Sequence, residues 1–110
     1  MRKKLVDQLN VEFPNVLRCS VNVGDGWYGI LKKLLKNLKK SNVKIINVEQ
    51  EFGGLQVYSS PRTTKTDQMI QSAEDASWHV CEYCGEVENI KRYNLGGYCI
   101  TLCPDCASKN

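Results

Sequence analysis

The clearest periodicity in the chain is a run of apolar residues, Trp27, Ile30, Leu31, Leu34, Leu35 and Leu38, with Lys32, Lys33, Lys36, Lys39 and Lys40 between them. At about 100° per residue the two sets take opposite sides of one helix, so the spacing predicts an amphipathic helix over residues 26–40. Its lysines crowd the C-terminal end, where the helix dipole favours positive charge. Asp25, in "GDGW", stands where an N-cap belongs. Met69, Ile70, Ala73, Ala76 and Val80 recur at steps of three and four, which predicts a second helix over 64–79, capped by Thr66 or a neighbour. Between the helices, "NVKIINVEQEF" and "LQVYSS" are rich in strand-forming residues and flank Gly53-Gly54. That pattern predicts a β-hairpin over 43–59 turning at the two glycines. Alternation puts Leu55, Val57 and Ser59 on one face, with Gln56 and Tyr58 on the other. Residues 2–9 suit a short helix, and Pro14 opens an irregular or extended stretch.

Composition narrows the class. The 110 residues are 42% hydrophobic and 25% charged, which fits one folded α+β unit over residues 1–80 with a cysteine-rich segment, 81–110, attached to its last helix. No apolar run approaches the ~18 residues that span a bilayer. No apolar stretch follows the basic N-terminus as in a signal peptide. A cytoplasmic protein with reduced thiols is expected. The net charge of +3 is uneven. Residues 1–44 carry ten Lys/Arg against three Asp/Glu, and residues 45–110 carry five against nine.

The six cysteines carry the strongest chemical signal. Cys81-x2-Cys84 and Cys103-x2-Cys106 are two knuckles, each able to aim a pair of thiolates at one ion. Gly85 follows the first pair, where a knuckle needs a left-handed residue. Four thiolates suit a tetrahedral Zn2+ ion, so one structural zinc is expected. Iron or an iron–sulfur centre can use the same ligands. The intervening residues predict two strands around Leu95-Gly96-Gly97. Pro104 fits the first turn of a closing helix, so the segment is a zinc ribbon or a treble-clef-like finger. Cys99 is expected to pack as a small apolar residue. Cys19 is isolated, and His79 stands beside the site without being needed as a ligand.

No catalytic residues are expected. His79 is the sole histidine, Glu49 and Glu51 suit exposed strand positions, and "GDGWYG" lacks the lysine and the glycine spacing of nucleotide-binding loops. A closed four-thiolate site leaves no position for water or substrate.

The segments "GDGWYGIL", "VEQEFGGLQVY", "MIQSAEDASWHVCEYCG" and "TLCPDC", spanning 24–106, resemble a family of small proteins encoded by bacteriophages and prophages. "EFGGLQVY" followed by "CEYCG" is the specific part. The resemblance implies phage origin, hence a host-cell cytoplasm, and brings no activity with it. Two functions are therefore weighed. One is a protein-binding module that modulates a host or phage machine, host defence included, with Tyr58, Tyr83 or Tyr93 as anchors. The other is nucleic-acid binding through Lys32, Lys36, Lys39 and Lys40 together with Lys91, Arg92 and Tyr93. Against the second, residues 81–110 hold Lys91, Arg92 and Lys109 against four acids, a poor balance for a finger that reads nucleic acid.

Overall fold

The computed structural model describes residues 1–109. Helix α1 (Lys3–Glu12) leads through Phe13, Val16 and Leu17 to a short strand β1 (Val21–Asn22). A 3-10 turn (Asp25–Trp27) opens α2 (Tyr28–Leu38), and β2 (Lys44–Glu51) and β3 (Gly54–Ser60) follow as a hairpin. Helix α3 (Thr64–Ser77) precedes β4 (Lys91–Leu95), β5 (Tyr98–Leu102) and a one-turn α4 (Pro104–Ser108). The main sheet has the order β1-β2-β3, with β1 parallel and β3 antiparallel to β2. Strands β4 and β5 form a separate antiparallel ribbon.

The α2 wheel is realised: Trp27, Leu31, Leu34, Leu35 and Leu38 are buried, and Lys33, Lys36, Lys39 and Lys40 are exposed. The helix is shorter than 26–40, because residues 25–27 form the tighter 3-10 turn and Lys39 closes the other end. In β2, Ile45 and Val48 both face the core, although they stand three positions apart. A bulge between Ile45 and Asn47 resets the alternation and turns Ile46 to solvent. Leu55, Val57 and Ser59 share the buried face of β3 as their alternation predicts. Helix α3 ends at Ser77, and Thr63 caps it reciprocally with Thr66, each side chain accepting from the other's backbone N–H.

The N-terminal stretch, which carries no clear pattern, is part of the core. Leu9, Phe13, Val16, Leu17, Val21 and Val23 are buried with the residues of α2 and the main sheet. Leu17 bridges Ile45 in parallel, continuing β1 along β2. The cysteine unit has its own small core of Cys81, Ile100, Leu102 and Cys103, flanked by Ile90, Tyr93, Cys106 and Ala107.

Two turn assignments change. The β2–β3 loop is Phe52-Gly53, with φ of 54° and 90°, and Gly54 is already the first residue of β3. Asp25 caps no helix: its carboxylate accepts from the Arg2 backbone N–H (2.8 Å) and from Arg2 Nε (2.5 Å). The Arg2 N–H, followed by the guanidinium, holds Asp25 below the usual carboxylate range. That pair, together with a bond from the Met1 amino group to the Val23 carbonyl, fastens the start of the chain beside α2.

Candidate metal centre

The ligand set is brought together as the spacing implies. The sulfurs of Cys81, Cys84, Cys103 and Cys106 all lie within 4.8 Å of one another. Cys84 Sγ and Cys103 Sγ are 3.6 Å apart, far beyond the ~2.05 Å of a disulfide. Thiolates ~2.3 Å from one tetrahedral ion would stand about 3.8 Å from each other, so the four sulfurs fit one metal ion.

Local structure supplies the rest of the fit. Residues 81–84 form a tight turn in which the Gly85 N–H donates to the Cys81 carbonyl at 3.0 Å, and Gly85 takes φ 82°. Cys103 caps α4, Pro104 occupies its first turn, and the Cys106 N–H donates to Cys103 Sγ at 3.4 Å. The second pair therefore sits on a helix start, as the treble-clef alternative requires. Burial pushes the Cys81 thiol up, yet N–H donors of Cys103, Cys84 and Tyr83 outweigh it and bring the thiol down to about 7. Burial, then the thiols of Cys103, Cys84 and Cys81, push Cys106 up to about 12. A cation bound here would supply the positive charge that converging sulfurs require, and its binding would release their protons. His79 is exposed and stands outside the cluster.

The first knuckle does more than supply two sulfurs to the cluster. Glu82, between the two cysteines, is buried. Its Oε2 accepts from the Gly24 N–H at 3.0 Å, its Oε1 from Gln50 Nε2 at 3.2 Å, and its carbonyl from the Gly26 N–H at 2.7 Å. The buried Trp27 donates its indole N–H to the Val80 carbonyl at 2.9 Å. A Cβ on Gly24 would stand 2.3 Å from the Glu82 carbonyl oxygen, and one on Gly26 would stand 2.0 Å from that of Cys81. "GDGW" is thus the cradle in which the knuckle backbone rests, and only glycine lets the two chains approach so closely.

The β2–β3 tip forms the second contact. Gln50 Nε2 also donates to the Cys99 carbonyl at 2.7 Å, and Thr101 Oγ1 donates to the Gly53 carbonyl at 2.6 Å. Trp78 lies across Gly54, where a Cβ would stand 2.5 Å from the indole. The Arg92 guanidinium sits 6.0 Å above the Trp78 ring, with its stem against Gly53.

The other candidate contact residues scatter. Lys32 pairs with Glu12 at 3.7 Å. Lys36, Lys39, Lys40 and Lys91 are exposed, whereas Tyr93 is half-buried against the metal unit's core. Tyr83 is open to solvent, and Tyr58 is exposed with its hydroxyl on Glu51. Cys99 and Cys19 are both half-buried. Sequence reasoning missed Gly24, Gly26, Gln50, Trp78 and Glu82. The glycine pair flanking Asp25 was a visible signal for close backbone approach, but nothing local named its occupant. No protein-family model, curated protein or solved structure matches the chain.

Proposed function

We propose that this is a non-catalytic, zinc-stapled protein-binding module of phage origin, acting on a host or phage protein in the host cytoplasm, and that Phe52 is its anchor. The observation behind this reading is the conformation of Phe52. It occupies the first position of a two-residue loop at φ 54° and leaves 76% of its surface in solvent. Such a loop favours Asn-Gly, and a bulky residue in that region is a backbone outlier. Phe52 therefore bears strain and exposes an aromatic ring, with no burial in the free protein to offset either. Strain held at an exposed tip is characteristic of binding sites. Exposed apolar side chains also gather toward the C-terminal end of the sequence, where Trp78, Tyr83, Val87, Leu95 and Tyr98 lie on or beside the cysteine unit. Aromatic anchors of this kind dominate binding energy. The four thiolates fill a zinc ion's coordination shell and serve to hold the ribbon and hairpin tip rigid.

Nucleic-acid binding is the second reading, favoured by the exposed Lys33, Lys36, Lys39 and Lys40. The Arg92 position over Trp78 and the acidic balance of the metal unit weigh against it.

Affinity capture from host lysate, run side by side with wild type and Phe52→Asn, tests the first reading. A captured protein that is lost with Phe52→Asn, at an unchanged one zinc per chain, is the expected result. Equal capture by both removes Phe52 from the function. Steeply salt-dependent binding to DNA or RNA, abolished by neutralising Lys36, Lys39 and Lys40, would replace the first reading with the second.

A further inference from the structure

Strand edges are sticky because their outward N–H and C=O groups await partners. Two of the outer edges here are covered. On the outer side of β3, the Leu55 N–H donates to Ser77 Oγ and the Val57 N–H to Glu74 Oε2, both at 2.9 Å. On the outer side of β5, the Cys99 carbonyl takes Gln50 Nε2 and the Thr101 carbonyl takes the Glu82 N–H at 2.9 Å. Strand β4 has no such cover.

Which of its groups point outward follows from the ladder. Gly96 and Gly97, at φ 66° and 93°, make a two-residue turn that pairs Leu95 with Tyr98. That pair closes the hairpin by hydrogen bonds, and alternate pairs beyond it do the same: Tyr93 with Ile100, and Lys91 with Leu102. Arg92 and Asn94, opposite Thr101 and Cys99, must then direct their backbone groups away from β5. The bonds already made by the Thr101 and Cys99 carbonyls on the far side agree with this. Among the described residues, the backbone groups of Arg92 and Asn94 have no partner, and most of β4 is exposed.

We propose that β4 pairs antiparallel with β4 of a second copy of this chain, about a two-fold axis at Tyr93, joining the two ribbons into one continuous sheet. The strand is self-complementary in that register. Arg92 falls beside the partner's Asn94 as a hydrogen-bonded pair, and the symmetry repeats it, so every outward backbone group on both strands is used. Lys91 falls beside the partner's Leu95, so no like charges stand directly opposite each other. The aliphatic stem of Lys91 also covers a leucine that is exposed in the single chain. Pairing Arg92 with its own equivalent would instead oppose like charges, which selects the register. The proposal is independent of the partner-binding reading, because Phe52 lies on the other hairpin.

The test is analytical ultracentrifugation of the metal-loaded chain from micromolar to near-millimolar concentration. Asn94→Pro removes one outward N–H and leaves the β4–β5 ladder intact, since proline is tolerated where an edge N–H faces outward. Asn94→Ala keeps that N–H while losing the same side-chain bond to the Gly97 N–H, and so serves as the control. The wild type and Asn94→Ala should approach twice the monomer mass as concentration rises, with slowed amide exchange at Arg92 and Asn94. Asn94→Pro should stay monomeric with unchanged metal content. A wild type that remains monomeric throughout overturns the proposal, even if β4 accepts some other extended peptide. So does an Asn94→Pro variant that associates as the wild type does.

Discussion

The molecule contains two hairpins with two-residue loops, and they solve the same turn with opposite chemistry. Both loops put both residues at positive φ: 54° and 90° at Phe52-Gly53, 66° and 93° at Gly96-Gly97. The second loop uses glycine twice and has open space around it, with no atom within 4 Å of where either Cβ would stand. It is a turn and nothing more. The first loop places an aromatic residue where the backbone disfavours one; its glycine, Gly53, is crowded by Arg92 and Thr101, and the next residue, Gly54 of β3, by Trp78. The same backbone shape is thus a bare connection in one place and a packed contact with the cysteine unit in the other. A glycine pair in the sequence does not reveal which.

The largest expected effect separates the hairpins by what supports them. Chelation of the metal, or Cys81→Ser, should unfold the β4–β5 ribbon, since structural zinc sites of this type contribute on the order of 10 kcal/mol. Amide-exchange protection should be lost at Tyr93 and Ile100 while Val48 and Val57 keep theirs. Loss of protection in both sheets together would show that the hairpins are not separable. Glycine substitution sharpens the contrast next. Gly54→Ala drives a methyl into the Trp78 ring and should cost about 2–3 kcal/mol. Gly96→Ala meets only backbone strain and should cost about 1 kcal/mol. Urea unfolding of the two variants measures both, and equal costs would cancel the distinction. Phe52→Asn comes third and has the opposite sign: relief of the left-handed strain should stabilise the chain by about 1 kcal/mol in the same assay.

The smallest effect concerns the edge of the first hairpin. Burial raises the Glu74 carboxyl above its ordinary value, although the Val57 N–H and the Arg62 charge pull it down. A group whose pKa is higher in the folded chain favours folding when protonated. That contribution is complete below the unfolded carboxylate range and is lost as pH rises through the folded value. Glu74→Gln, which still accepts from Val57, should therefore be more stable than the wild type at pH 7. The difference should shrink toward pH 4, as followed by thermal melts across that range.

What the sequence made legible was periodic or chemically explicit. The α2 face could be read because six apolar residues fall on one side of a wheel, and the metal site because thiol spacing is nearly unambiguous. The register of the first turn could not. Gly53-Gly54 satisfies the turn rule as well as Phe52-Gly53 does, and the tie is broken by Trp78, 24 positions further on, which needs the space above Gly54. Asp25 resembled a cap because its true partner, Arg2, is 23 residues away. Gln50 and Glu82 gave no local signal, because their mutual bond spans 32 positions. Local rules see local partners, and the residues that join the two halves are the ones whose partners are distant.

The cradle and its occupant are also separated in time. Gly24 and Gly26 leave the ribosome long before Glu82, which lies 58 positions after Gly24, and before Cys106, the last of the four clustered cysteines. A nascent chain therefore carries α2 with its leading amides facing water, and closing so long a loop is slow. Those glycines also keep that stretch supple while it waits. A metal ion taken up by all four sulfurs would therefore draw together segments synthesised far apart, the first knuckle that rests in the cradle and the second that follows it.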